Sequence, residues 1–122
     1  MLLDNHIYDN GLSRFNAEAN QLRICNALPA TYAAATGANS LGTKTAPAIS
    51  TPQAGDPNGR QVTVSAFSDG TVDTTGTGTH YAIVDTINSR LLAAEELAAP
   101  QAVTAGNTFS LDAFTVRIPA PV

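Results

Sequence analysis

GRQVTVSAFSDGTVDTTGTGTHYAIVDTINSRLLAA, from Gly59 to Ala94, is the stretch on which the fold turns. Val62, Val64 and Ala66 alternate with Gln61, Thr63 and Ser65, the period-two pattern of a strand with one buried and one wet face. The spacing predicts a strand over Arg60 to Phe67, a turn at Ser68-Asp69-Gly70 and a weaker strand from Thr71 to Thr74. Gly76 to Thr79 reads as a flexible or tightly turned loop. From Thr79 to Thr86 the residues Tyr81, Ala82, Ile83 and Val84 are apolar at both parities, as in a central strand covered on both faces. Ile87-Asn88-Ser89 predicts a hairpin turn into Arg90 to Leu97. There LLAAEELAA has helical propensity, with Ser89 available as a cap, but the short turn favours an antiparallel strand.

Downstream, Phe109 and Leu111 share one parity, whereas Phe114, Val116 and Ile118 share the other. One extra residue near Asp112-Ala113 would put all five on one face, so a β-bulge is expected there. Upstream, Leu22 and Ile24 alternate with Gln21, Arg23 and Cys25, a further strand. Pro29 ends it, and Ala30 to Thr36 has the alanine content of a single helical turn stopped by Gly37. Leu41 to Ser50 should be extended, with Pro47 keeping part of it at an edge. Thr51 to Gly59, rich in Pro, Gly, Asp and Asn, reads as an exposed loop. Leu12, Phe15 and Ala19 have helical spacing, so Met1 to Asn20 is expected to be an extended arm followed by a short helix.

The expected fold is therefore all-β: a small antiparallel β-sandwich or jelly-roll-like barrel with one or two short helical turns near the N-terminus. Residues 1–122 form one domain in this reading, with the arm and short helix over 1–20 and the sandwich over 21–122. A chain of 122 residues suffices for one core. Charged residues are only 13% of the chain, about half the usual share. So sparsely charged a surface is expected to be covered in part by partners. Six Lys and Arg against ten Asp and Glu give a net charge of −4. The basic residues are scattered, which argues against binding nucleic acid. No apolar run approaches the length of a membrane span, and Cys25 is the only cysteine, so no internal disulfide is possible.

The pattern offers little chemistry. His6 and His80 are too few for a three-histidine metal site, and His80, at the head of the most apolar strand, reads as a hydrogen-bonded structural residue. Ser65 and Ser110 lie within strands, with no elbow to expose a nucleophile. Glu95 and Glu96 are adjacent, so on a strand they point to opposite faces and cannot work as a paired acid and base. The loop around Asp69 and Asp73 lacks the spacing of a calcium loop. Neither catalytic residues nor a cofactor or metal site is expected.

Five runs carry a resemblance: Tyr8-Asp9-Asn10-Gly11-Leu12, LRICNALPATYAAAT at Leu22 to Thr36, LGTKTAP at Leu41 to Pro47, GRQVTVSAFSDGTV at Gly59 to Val72, and HYAIVDTINSRLLA at His80 to Ala93. Together they resemble a family of small structural proteins of tailed bacteriophages and prophages, of minor capsid or decoration type. The resemblance covers nearly the whole chain and departs at Glu95-Glu96, where a more neutral strand continuation is usual. It implies a virion protein on the capsid exterior, binding the major capsid protein and copies of itself as a dimer or trimer. The expected role is a cement that stabilises contacts between capsomers, through an interface of about 1,200 to 2,000 Å². Leu2, Leu3, Ile7 and Tyr8 of the arm and Pro52, Asp56, Pro57 and Asn58 of the loop are the expected contact residues. The alternative is a tail- or fibre-associated module binding a host glycan, with Tyr32 or Tyr81 as the stacking aromatic.

Overall fold

The computed structural model of the protein describes residues 4–120, and the side chain of Ile7 lies outside the description. Helix α1 (Asn5–Glu18) is followed by β1 (Gln21–Cys25), a one-turn helix α2 (Tyr32–Thr36), β2 (Ser40–Thr45), β3 (Gln53–Ala54), β4 (Arg60–Val64), β5 (Phe67–Val72), β6 (Gly76–Asp85), β7 (Arg90–Val103), β8 (Thr108–Leu111) and β9 (Phe114–Ile118). The fold is mostly antiparallel β, as expected. A curled six-stranded sheet runs in the order β7-β6-β1-β2-β5-β8, and a smaller sheet in the order β3-β4-β9.

Both sheets share one ribbon. The pairing of β4 with β9 ends at Val64↔Phe114, and that of β5 with β8 begins at Phe67↔Leu111. Two residues on each side, Ser65-Ala66 and Asp112-Ala113, are skipped together, so the register carries across the gap unchanged. The ribbon folds at this corner and crosses from one sheet to the other. The parity change after Leu111 is therefore a change of sheet rather than the expected bulge: two residues are skipped on both strands, where a bulge adds one to a single strand.

Two other expectations on the deciding stretch are corrected. Ser68-Asp69-Gly70 is not a turn but lies inside β5, at an irregularity in its pairing with β8. Gly70 faces Phe109 across the ribbon, and the Phe109 ring lies where a side chain would otherwise sit. A Cβ on Gly70 would fall 2.6 Å from Phe109 Cζ. Gly76 to Thr79 belongs to β6 and not to a loop: Gly76 to Gly78 pair with Gln101 to Val103, and Thr79 lies at a shift of register. Its glycines clear room for core side chains, since a Cβ on Gly78 would lie 2.6 Å from Ile24 Cγ1. In both places glycine marks close packing, which sequence alone does not separate from a turn.

Tyr81 to Asp85 are buried without interruption, as expected for a strand covered on both faces. On one face Leu22, Ile24, Leu41, Tyr81, Ile83, Val72, Val103 and Phe109 form the main core with Val64 of the small sheet. On the other, Cys25, Ala82 and Val84 are covered by Ala35 of α2. The Thr31 hydroxyl caps α2 by accepting from the Ala34 N–H at 3.1 Å, and Gly37 ends it. Burial pushes the Cys25 thiol up to about 11, so it behaves as a small apolar side chain. Strand β7 continues the hairpin, as the short turn argued, and outruns the expected end by six residues to Val103.

The N-terminal segment differs most from expectation. Asn5 to Tyr8 are helical rather than an extended arm, and the helix runs four turns without a break at Gly11. Asp4 caps it, its carboxylate accepting from the His6 N–H at 2.8 Å. Tyr8, Leu12, Phe15 and Ala19 make one stripe, with Tyr8 and Leu12 fully buried and Phe15 and Ala19 packed on the main core. Arg60 grips Asp9 with two hydrogen bonds, 2.8 and 3.3 Å. The Asn16 amide donates to the carbonyls of Ile49 and Ser50 at 3.0 and 2.8 Å. These tertiary contacts outweigh the cost of about 1 kcal/mol for an interior glycine. In the segment Thr51 to Gly59, Gln53 and Ala54 form the short edge strand β3 against Gln61 and Arg60, and only the tip remains loop.

Two glycine substitutions should move stability in opposite directions. A Cβ on Gly11 would sit 3.6 Å from Ile118 Cδ1, an ordinary contact, so Gly11→Ala should stabilise by about 0.5–1 kcal/mol. Gly70→Ala should destabilise by about 1–3 kcal/mol because the Phe109 ring is locked in the core. Urea unfolding of both variants checks the pair, and equal shifts of the same sign would refute the packing account.

Candidate functional site

The residues expected to touch partners are only partly brought together. Leu2 and Leu3 lie outside the described residues, as does the Ile7 side chain. Tyr8 is 5% exposed and packs inside the protein, so it serves the fold rather than presenting a contact surface. The loop residues are available: Asp56, Pro57 and Asn58 are exposed and Pro52 is half-buried. Arg117 donates to the Asn58 carbonyl and side chain at 3.0 and 2.9 Å, and the Ala120 N–H donates to the same side chain at 3.1 Å. The Asp56 N–H donates to Gln61 Oε1 at 3.3 Å. The loop is thus braced at its base with Asp56 and Pro57 at its tip.

A second projection escaped the sequence reading. Ile87, at the tip of the β6-β7 hairpin, is 84% exposed. Buried Asp85 holds that turn: its carboxylate accepts from the N–H groups of Ile87 and Asn88 at 3.0 and 3.3 Å and from the Asn88 amide at 2.7 Å. The only signal in the sequence was an isoleucine at a position that turns normally give to polar residues.

Helix α1 connects the two projections. Its N-terminal half is tied to the base of the loop by Asp9–Arg60. Its C-terminal end is tied to the hairpin by Glu18–Arg90 at 3.7 Å and by the Asn20 amide donating to Thr86 Oγ1 at 2.8 Å. Asp9 and Glu18 are nine residues apart, about 14 Å along the helix axis, which sets the spacing of the two ties.

The third feature is a cleft of about 750 Å³ beside the ribbon corner. Sheet curling brings the edge strands β7 and β8 together at one end, where the Gln101 amide donates to the Ser110 carbonyl at 2.9 Å. Farther along they part, because Leu97 to Pro100 bulge out of the pairing between Gly78↔Gln101 and His80↔Glu96. Glu95 and Asp112 stand exposed at the opening, and Tyr81 and Phe114 form its floor with ring centroids 4.3 Å apart. Glu95 pairs with Tyr81 and Glu96 with His80, so the two glutamates leave opposite faces of β7, as expected. Burial and, secondarily, the Glu95 carboxylate push the Tyr81 phenol up to about 12. His80 shares a hydrogen bond with the Thr79 hydroxyl at 2.8 Å.

No protein-family model, curated protein or solved structure matches this chain. Among the described residues no group of three or more His, Cys, Asp or Glu is placed to hold a metal, and no helix is long and apolar enough to cross a membrane.

The Asn88 amide, helped by the N–H groups of Asn88 and Ile87, holds the Asp85 carboxyl below the usual carboxylate range. Its contribution to stability is therefore present above the unfolded pKa of about 3.9 and is lost as pH falls through the lower folded value. In Asp85→Asn the deficit relative to the parent should be largest near neutral pH and shrink in acid. Urea midpoints taken across the acid limb test this, and a pH-independent deficit would count against it.

Proposed function

We propose that this protein is a structural component of a tailed-phage virion, a capsid decoration protein that clamps the outer shell. The sequence motifs supply the phage part of this reading. The geometric observation that supports it is the α1 strut, which holds two braced projections, the Asp56-Pro57 tip and the Ile87 tip, at a fixed separation. A clamp must grip two neighbouring subunits without flexing between the grips, and a helix bonded at both ends to the parts it spaces has that stiffness. Ile87 is an exposed apolar anchor that can be covered without desolvating a polar side chain of its own.

The competing reading, a glycan-binding tail module, finds less support. Tyr81 is buried against Phe114 and Tyr32 is half-buried against the second core cluster, so neither stands clear of the surface as a stacking platform. The exposed large apolar side chains among the described residues are Leu28 and Ile87, neither aromatic.

Cryo-electron microscopy of the particle that carries this protein tests the proposal. Copies at every capsomer contact across the shell are expected, whereas a single ring at the neck or tail would overturn it. With purified protein added back to undecorated shells, Ile87→Asp should lower occupancy at least about tenfold, the loss of one buried anchor. Its urea midpoint should stay near that of the parent, because Ile87 contributes little to the core.

A further inference from the structure

The cleft beside the ribbon corner has features that a shell clamp does not require. Glu95 and Asp112 place two carboxylates at one opening, while Glu96 leaves the opposite face of β7, and no Lys, Arg or His is among the lining residues. The cations are committed elsewhere. Arg14, Lys44, Arg60 and Arg90 face Glu18, Asp69 and Asp9, while Arg23 and Arg117 are held by Gln21, Ser40 and Asn58. The negative charge of the cleft is left uncompensated among the described residues.

Tyr81 supplies an independent indication. It is 8% exposed, yet its hydroxyl makes no hydrogen bond among the described residues. No fully enclosed side-chain oxygen or nitrogen there lacks a partner, so the Tyr81 oxygen is not sealed in the core. Tyr81 lines the cleft, and its phenol feels the Glu95 carboxylate at the rim, which places the hydroxyl on the cleft side. A phenol whose hydroxyl has no protein partner, beside the Glu95 and Asp112 carboxylates, leaves a polar position for an incoming group to fill.

The walls indicate what kind of ligand. Ala98, Ala99, Pro100 and Ala113 are small, so another backbone can come close. The bulge at Leu97 to Pro100 leaves backbone groups of β7 outside the ladder with β6. Sheet edges with unpaired backbone accept an extended segment. The apolar floor and carboxylate rim suit a cation with a long apolar stem.

We propose that this cleft docks an extended segment of a partner protein through an arginine or lysine side chain, its charge between Glu95 and Asp112 and its tip against the Tyr81 hydroxyl. The inference rests on the cleft alone and does not depend on the capsid reading. Arginine fits best, because its fork can meet a carboxylate and the phenol oxygen together.

The test uses the full chain, labelled for NMR, titrated with three blocked pentapeptides that differ only in a central arginine, citrulline or glutamate. The arginine peptide should shift the signals of Tyr81, Glu95 and Phe114 and bind at least about tenfold more tightly than its uncharged citrulline twin. Glu95→Gln combined with Asp112→Asn should abolish that preference. Both sites are exposed, so folding is spared. Tyr81→Phe, which keeps the ring, should weaken arginine binding about threefold to tenfold. Equal binding of the three peptides, or shifts mapping away from the cleft, would overturn the proposal. So would spermidine shifting the same signals while the arginine peptide does not, which would mark a site for small cations. Self-association that Glu95→Gln abolishes would instead make a second copy of this chain the occupant.

Discussion

The ribbon formed by β4-β5 against β8-β9 serves two sheets at once, and its corner is the constraint on which the other elements depend. Antiparallel pairing fixes which residues oppose one another, and a slip by one residue would turn every side chain to the wrong face. The register survives the corner because both strands skip the same number of residues, so Val64 and Phe109 reach one core from different sheets. Phe109 secures the large-sheet side. Its ring lies over Gly70, meets Phe67 edge-on at 5.5 Å and crowds Gly42, where a Cβ would lie 3.1 Å from the ring and 2.5 Å from the Thr71 carbonyl oxygen. Fully burying such a ring contributes about 1.5–3 kcal/mol, a large part of the margin by which small domains are stable.

The corner also creates the cleft. Where the ribbon leaves the six-stranded sheet, β8 stops and nothing continues its edge. On the far side of the curl β7 is pushed out by its own bulge around Pro100, a residue that cannot donate to a ladder. Curling brings these two edges near each other without enough aligned donors and acceptors to close a barrel. What is left is a wedge floored by Tyr81 and Phe114. The feature that makes the fold possible thus leaves it with an unfilled opening, rimmed by Glu95 and Asp112.

Many of the strand positions were legible because their signal is local. The alternation of Val62 and Val64, the doubly apolar run at Tyr81 to Val84 and the turn at Ile87 to Ser89 each follow from neighbouring residues. The helical spacing of Leu12, Phe15 and Ala19 was visible too, but its extent was not. Tyr8 joins the stripe only because a sheet is present to cover it, and Arg60, 51 residues away, holds Asp9 in place. The glycine-rich runs at Ser68 to Gly70 and Gly76 to Thr79 misled for one reason: glycine is used both where a chain turns and where a neighbour presses close. Of the candidate site, the exposed Asp56-Pro57 tip could be read directly. The cleft could not, since Tyr81, Glu95 and Asp112 lie on three separate segments and their pattern carries no shared motif.

By itself the sequence determined that this is an antiparallel β protein with little charge and no concentrated set of chemical groups, because hydropathy period and composition are properties of neighbouring residues. Tertiary structure alone decided that the parity change at Asp112-Ala113 is a passage between sheets, that α1 is a strut, and that three distant segments enclose an acidic cleft. Each of these depends on contacts between residues far apart in the chain. Their free energies are set by burial and register, which no short window of sequence encodes.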